Sequence, residues 1–286
     1  MTNLHPTTFD IAGEFTVNRI GFGAMRLADG DIWGGPADRP AAVAVLRRAV
    51  ELGVNLIDTA DAYSLGANEE LIAEALHPYR DDLVIITKAG VSRPSPSLEE
   101  WIPLGRPEYL RQQAELSLRR LRLERIDVFM LHRVDPAVPL ADQIGALKQL
   151  QDEGKIAAIG LSEVDVAQIE EASAIAPITA VQNLYNLGAR HHEAVVDHCE
   201  SNGIVFIPFF PIAVGEHAKK AGGPVARVAK EVGATPAQVA LAWLLHRSPV
   251  ITPIPGTSSV AHLEENVAAQ QVRLGDAELA VLAEGI

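Results

Sequence analysis

"NLIDTADAY", residues 55–63, passes from an apolar run into two aspartates, a threonine and a tyrosine within a few positions. A short run of branched apolar residues reads as a parallel strand buried on both faces. The polar residues at its end, Asp58, Asp61 and Tyr63, are then either a helix cap or part of an active site, and the rest of the chain decides between the two.

Runs of the same kind recur. They lie at 19–25 (RIGFGAM), 54–60 (VNLIDTA), 83–88 (LVIITK), 126–132 (IDVFMLH), 156–162 (IAAIGLS), 180–185 (AVQNLY), 204–210 (IVFIPFF) and 251–257 (ITPIPGT). Helical patterns separate them. Residues 40–52 carry Val43, Leu46 and Val50 on one face, 107–121 carry Leu110, Ala114, Leu118 and Leu121, and 140–153 carry Ile144, Leu147 and Leu150. Pro107, Gly53 and Gly154 punctuate these helices. Eight strand–helix units with no Pro/Gly/Ser-rich linker predict one α/β domain over 1–286, a (β/α)8 TIM barrel. A doubly wound open sheet is the alternative. Residues 7–18, turning at "AGEF", predict a short β-hairpin ahead of the first barrel strand. The polar, proline-rich stretch 91–106 predicts a long functional loop after strand 3.

Composition narrows the function. A net charge of −13 argues against nucleic acid as partner. No apolar run is long enough to span a membrane. The N-terminus lacks a basic region followed by an apolar one, which predicts no signal peptide. A single cysteine, Cys199, excludes an internal disulfide and suits a cytoplasmic location. The oligomeric state is not legible.

A barrel carries its chemistry at the C-terminal strand ends. Those ends read Met25, Asp58, Lys88, His132, Ser162, Gln182, Phe209 with Phe210, and Gly256 with Thr257. Stability alone does not call for Asp, Lys and His on three consecutive strands. A carbonyl that accepts a hydride becomes an alkoxide and needs a proton. Tyr63 is the candidate donor, but a free tyrosine, with a pKa near ~10, is too weak an acid at neutral pH. A lysine held beside it, itself held by a carboxylate, lowers that value, and Lys88 with Asp58 supplies the pair. His132 then hydrogen-bonds the carbonyl oxygen.

At these residues the chain resembles the aldo-keto reductases, in "GVNLIDTADAY", in the "ITK" ending at Lys88, in the "LH" ending at His132 and in the tail "IPGTSSVAHLEEN". "FIPFFPI" and that tail look most like a bacterial subgroup with pyridoxal reductase-like members. The resemblance implies an NADPH-dependent reductase of small-molecule aldehydes and ketones, NADH being possible, with the tetrad Asp58, Tyr63, Lys88 and His132. It implies cofactor contacts from Ala24, Met25 and Asp58. Ser162 and Gln182 would hold the nicotinamide carboxamide, and Phe209 would stack on the ring. Phe210, Pro211 and Ile212 would follow the pyrophosphate and ribose, and Gly256, Thr257, Ser258, Ser259, His262, Glu265 and Asn266 the adenosine 2′-phosphate and adenine. Hydroxyls and amides opening a helix make a reasonable anion site. Three departures stand out: Glu163 where many members have Asn, Phe209 for a commoner tyrosine, and His262 for a commoner arginine. The last predicts a reduced preference for NADPH that grows as pH falls through roughly 7.5 to 6, unless Lys219 or Lys220 compensates.

Other signals are weaker. "GFGAM" fails as a dinucleotide fingerprint because Arg26 stands where the third glycine belongs. "HRVD" (132–135) with Asp61 fits no zinc spacing, so no metal is expected. His191 and His192 read as solvated loop residues. Trp33, Trp101 and Phe210 are expected to wall an apolar substrate pocket. Two rival functions remain open: a cofactor-binding regulatory subunit like the potassium-channel β subunits, and a barrel hydrolase using Asp58 and His132.

Overall fold

The computed structural model describes residues 6–212 and 223–284. Lys219 and Lys220 lie outside the described residues. A hairpin comes first, β1 (Thr8–Ile11) pairing antiparallel with β2 (Phe15–Asn18). Seven parallel strands follow: β3 (Phe22–Gly23), β4 (Leu56–Asp58), β5 (Val84–Ala89), β8 (Ile126–Leu131), β9 (Ile156–Ser162), β10 (Ile178–Gln182) and β11 (Val205–Phe206). Their order in the sheet is their order in the chain. β6 (Val91–Ser92) and β7 (Ile102–Pro103) form a separate antiparallel pair.

The eighth stave closes the barrel without forming a strand. Phe206 N donates to Val250 O (2.9 Å), Thr252 N to Phe206 O (2.9 Å) and Gly21 N to Pro253 O (3.0 Å), so residues 250–253 bridge β11 to the approach of β3. Pro253 and Pro255 have no N–H to give, which reduces the expected strand 251–257 to a single bridge. Strand 19–25 likewise shortens to β3, because the helix-forming run Ala24–Leu27 curls into a 3-10 turn.

Alternation along each strand separates two layers. Leu56, Val84, Ile86, Val128, Met130, Ala158, Ala180, Val205 and Ile207 fill the barrel interior, where Ile11 and Val17 of the hairpin plug its floor. Asn55 holds that plug, accepting from Asn18 N at 2.7 Å and donating to Thr16 O at 2.9 Å. Ile57, Ile85, Phe129, Leu131, Ile159 and Leu161 point outward onto the helices. Both faces are covered, which is why all six residues of β5 are buried.

Helix Arg39–Glu51 is capped by Asp38, whose side chain accepts from Ala41 N at 2.9 Å. Its buried face is Ala42, Val45, Leu46 and Ala49. The expected face through Val43 and Val50 is therefore corrected by part of a turn; the two small alanines let the helix lie close, leaving both valines half-buried at its margin. Helices Pro107–Leu121 and Leu140–Asp152 bury the faces their spacing predicts. No helix among the described residues is long and apolar enough to cross a membrane.

Candidate active site

The inward register of the barrel continues, two residues at a time, into the polar residues at its C-terminal mouth. Leu56 leads to Asp58, Val84 and Ile86 to Lys88, Val128 and Met130 to His132, Ala158 and Gly160 to Ser162, Ala180 to Gln182, and Val205 and Ile207 to Phe209. Because strand side chains alternate with period 2, each of these points up the barrel axis into one space.

Lys88 lies at the bottom of that space and is 0 % exposed. Its ammonium donates to Asp58 Oδ1 at 2.8 Å and to Thr59 O at 2.7 Å, and stands 5.2 Å from the centroid of the Tyr63 ring. Burial works against the lysine's charge, but Asp58 and Tyr63 outweigh it and raise its pKa. Tyr63 follows β4 on a turn in which Ser64 and Leu65 both have positive φ (52° and 51°). Its phenol is not brought below the ordinary range as expected. Burial raises its pKa, opposed by Lys88 and reinforced by Asp58. Lys88 is already shared with that carboxylate, so its field is only partly available to the phenol. The His132 ring lies edge-on to Tyr63, centroids 5.9 Å apart. Burial, Lys88 and Arg133 hold its pKa well below the usual histidine value, so the imidazole is neutral. Its Nδ1 is buried with no partner among the described residues.

Above these groups opens a cavity of about 580 Å³. Met25, Asp58, Tyr63, Trp101, His132, Ser162, Gln182, Phe209, Phe210, Pro211, Ile212 and Gly256 line it, joined by Gly23, Arg26, Ile32, Leu98, Arg133, Ile254 and Pro255. A second cleft of about 320 Å³ shares Met25, Arg26, Ile32 and Gly256 with it and continues along Thr257, Ser258, Ala28, Asp29 and Gly30. The two form an elongated recess running off the barrel mouth.

The recess suits an extended dinucleotide. A Cβ on Gly23 would meet Ile254 O at 2.7 Å, and one on Gly256 would meet Gly23 O at 2.6 Å, so glycine at both positions lets the first and last staves close up beneath it. Gln182 Nε2 is committed to Asp58 Oδ2 at 2.8 Å, which leaves its Oε1 as the acceptor a carboxamide N–H requires. Ser162 Oγ accepts from Arg133 Nη1 at 3.1 Å and keeps its own O–H to donate. Phe210 takes a positive φ of 48°, its carbonyl held by Asn186 Nδ2 at 3.0 Å, and is 41 % exposed beside the Phe209 ring.

Several of the expected contact residues have other partners within the chain. Ala24 is buried, and its carbonyl accepts from Asn68 Nδ2 at 3.0 Å, leaving Met25 to reach the cavity. Ser259 caps helix Val260–Ala268 by accepting from His262 N at 3.4 Å. Glu265 takes the Thr235 hydroxyl at 2.5 Å, stapling that helix to the next-door cap. Neither these two nor exposed His262 and buried Asn266 are among the residues lining either recess. Trp33 is not a pocket wall; Ile32 takes that place, and Trp33 packs on Arg93 (5.6 Å). Glu163 does not face the carboxamide position: with φ 55° it swings its carboxylate onto Leu184 N at 2.7 Å.

Three arginines absent from the sequence expectations shape the recess. Arg26 lies across both compartments, its guanidinium 5.9 Å from the Phe210 ring and its stem against the bare face of Gly256. Arg133 lines the cavity beside His132. Arg93, only 5 % exposed, is sandwiched between Trp33 and Trp101. It donates to Ile32 O (2.6 Å), Asp31 O (3.0 Å) and Pro96 O (3.3 Å), tying the loop after β3 to the 91–106 loop. That clasp sets Trp101 at 6.3 Å from Tyr63 and 5.8 Å from His132. Arg26 and Arg133 had a visible signal, a cation directly after a strand end; Arg93 had none. Asp135 of "HRVD" is occupied structurally, accepting from Gly105 N at 2.9 Å and Ala137 N at 2.8 Å.

Comparison with known proteins agrees with this geometry. The profile of the Aldo/keto reductase family matches residues 19–285. An uncharacterized oxidoreductase of Schizosaccharomyces pombe is 47% identical over 272 residues, covering 95% of this chain and 88% of its own. Pyridoxine 4-dehydrogenase of Escherichia coli is 44% identical over 276 residues, covering 94% and 95%. An aldo-keto reductase from Klebsiella pneumoniae, solved in complex with NADPH, superposes with a TM-score of 0.80 at 27% identity over 97% of this chain and 94% of that one.

Proposed function

The chain belongs to the aldo/keto reductase family, and from that premise we propose that it is an NADPH-dependent reductase of aldehydes and ketones with Tyr63 as proton donor. The observation that carries this reading is the buried Lys88 ammonium held between Asp58 and the Tyr63 ring, with neutral His132 on the open side.

The nicotinamide, when bound, supplies the hydride; the chain's own residues handle the oxygen. Neutral His132 has one ring N–H and no protein acceptor among the described residues, so it can donate to the substrate carbonyl and orient it. As negative charge grows on that oxygen, the Tyr63 phenol gives up its proton, and Lys88 stabilises the resulting phenolate. A preorganised cation in a water-poor site is worth far more there than in bulk solvent. Met25, Ser162, Gln182 and Phe209 to Ile212 are assigned to the nicotinamide half of the cofactor. Gly256, Thr257, Ser258 and Arg26 are assigned to its phosphates. Arg26 supplies the fixed positive charge that the "GTSS" loop itself lacks, and it favours NADPH over NADH if it meets the 2′-phosphate rather than the pyrophosphate. Pyridoxal is a reasonable substrate to test, given the likeness to pyridoxine 4-dehydrogenase.

The test is oxidation of NADPH and NADH against pyridoxal, 4-nitrobenzaldehyde and methylglyoxal, repeated in Tyr63→Phe. Turnover with NADPH is expected, falling about 10²- to 10⁴-fold in the variant while NADPH still binds. Unchanged turnover in Tyr63→Phe removes the proton-donor assignment. NADPH binding with no turnover of any carbonyl by the native protein would favour a regulatory cofactor-binding role instead.

A further inference from the structure

We propose that the Arg133 guanidinium docks an anionic group on the substrate, so that this chain prefers carbonyl compounds bearing a carboxylate or a phosphate. The proposal rests on the carbonyl-reductase reading above.

Arg133 follows His132 at the end of β8 and lines the same cavity as Tyr63, His132 and Trp101. Its Nη1 donates to His132 O at 2.7 Å and to Ser162 Oγ at 3.1 Å, which fixes the orientation of the guanidinium plane. Nε and Nη2 have no acceptor among the described residues, neither is a fully buried atom, and the residue lines the cavity. Glu163 is the acidic side chain whose field reaches Arg133, but it spends an oxygen on Leu184 N and forms no ion pair with the arginine. An open edge of planar N–H donors is the geometry that receives a carboxylate or phosphate in a bidentate fashion.

Charge points the same way. The chain carries −13 overall, yet among the described residues the charged ones lining this cavity are Arg26, Asp58 and Arg133. Lys88 neutralises Asp58 at 2.8 Å. The remaining two cations sit at different ends. Arg26 lies against Phe210 and Gly256, on the side that continues into the polar cleft. Arg133 is held by Ser162 Oγ and the backbone carbonyl of His132, adjacent in the chain to the imidazole proposed to hold the substrate carbonyl. A partly desolvated cation in a cavity that also carries apolar walls such as Leu98 and Trp101 is costly unless an anion completes it. At the catalytic end that anion arrives with the substrate.

The experiment compares kcat/KM, with NADPH, for 4-carboxybenzaldehyde, 4-formylphenyl phosphate and the neutral methyl 4-formylbenzoate in the native protein, Arg133→Lys and Arg133→Met. The native protein should favour at least one anionic aldehyde over the neutral ester by about 10- to 100-fold, the range of a charge-assisted hydrogen bond. Which anion gains more identifies the group recognised. The preference should shrink in Arg133→Lys and fall to near unity in Arg133→Met. Arg133→Gln replaces the methionine variant if that one does not fold. Equal rates for all three aldehydes in the native protein overturn the proposal. So does a proportional loss on all three in Arg133→Met, which would make Arg133 a support for Ser162 alone. Either result leaves the carbonyl-reductase reading standing; that reading fails separately if the native protein reduces no aldehyde, neutral or charged.

Discussion

Gln182 Nε2 donates to Asp58 Oδ2 across 2.8 Å, joining residues 124 positions apart over the mouth of the barrel. Lys88 holds the other oxygen of the same carboxylate. The side chain assigned to the nicotinamide carboxamide and the ion pair behind Tyr63 are thus one connected unit. A change at the cofactor end reaches the proton donor through a single carboxylate.

Gln182→Ala should therefore alter two measurements. The NADPH dissociation constant should rise, and kcat should also fall, because Asp58 loses one of its two positioning partners. Ser162→Ala should affect cofactor affinity with a much smaller change in kcat. Fluorescence titration and steady-state kinetics on the two variants separate these effects. Equal kcat in both would mean the Gln182–Asp58 bond has no bearing on Tyr63.

Lys88→Met removes the one effect that lowers the Tyr63 pKa most, while burial and Asp58 continue to raise it. The rising limb of the pH profile for alcohol oxidation, which follows ionisation of Tyr63, should move to higher pH, and kcat should fall. The variant also strands a buried carboxylate, a loss of about 3–5 kcal/mol. The double variant Asp58→Asn/Lys88→Met should recover much of that stability in thermal unfolding without recovering activity. Full stability in the single variant would contradict the burial of this pair.

Arg26 and His262 make opposite predictions about the cofactor phosphates. Arg26→Gln should weaken NADPH binding by about tenfold, as expected for losing a charge-assisted hydrogen bond. His262→Ala should leave binding nearly unchanged, since His262 lines neither recess. Dissociation constants for NADPH and NADH decide the matter: an effect on both places Arg26 on the pyrophosphate, and an effect on NADPH alone places it on the 2′-phosphate. A larger loss from His262→Ala would restore the histidine to the phosphate site.

Asp127 offers a pH test of the fold itself. Burial lifts its pKa from 3.8 to about 6, although its Oδ2 accepts from Ile85 N at 2.8 Å. The folded protein binds this proton more tightly than the unfolded chain, so this group's contribution to stability is present below pH 3.8 and is lost as pH rises through about 6. The full shift corresponds to roughly 3 kcal/mol, and partial solvent access reduces it to about 1. Asp127→Asn keeps an acceptor for Ile85 N and should melt higher than the native protein at pH 7, with the gap closing by pH 4. An equal gap at both pH values would show that Asp127 does not titrate in this range.

Local periodicity carried most of the fold. Branched apolar runs at strand length, broken by helices with Pro and Gly punctuation, were enough for eight staves and a hairpin, because the alternation of strand side chains depends only on neighbours in the chain. For the same reason Asp58, Lys88, His132, Ser162, Gln182 and Phe209 could be read as candidate site residues, and the structure brings them to one space: each is the first polar or aromatic side chain to continue the inward register of its own strand. What lay beyond that reading was decided by closure of the barrel. Pro253 and Pro255 thin the last stave, and its glycines bring it against the first. That closure sets Arg26 over Gly256. Arg93 joins two loops that share no sequence pattern, which turns Trp33 away from the cavity and Trp101 toward it. Tyr63 follows the same logic. A lysine beside a tyrosine predicts a lowered pKa, but burial and a shared carboxylate reverse the net direction. Contact order along a strand is written in the chain; desolvation and the meeting of distant loops exist only once the chain has closed on itself.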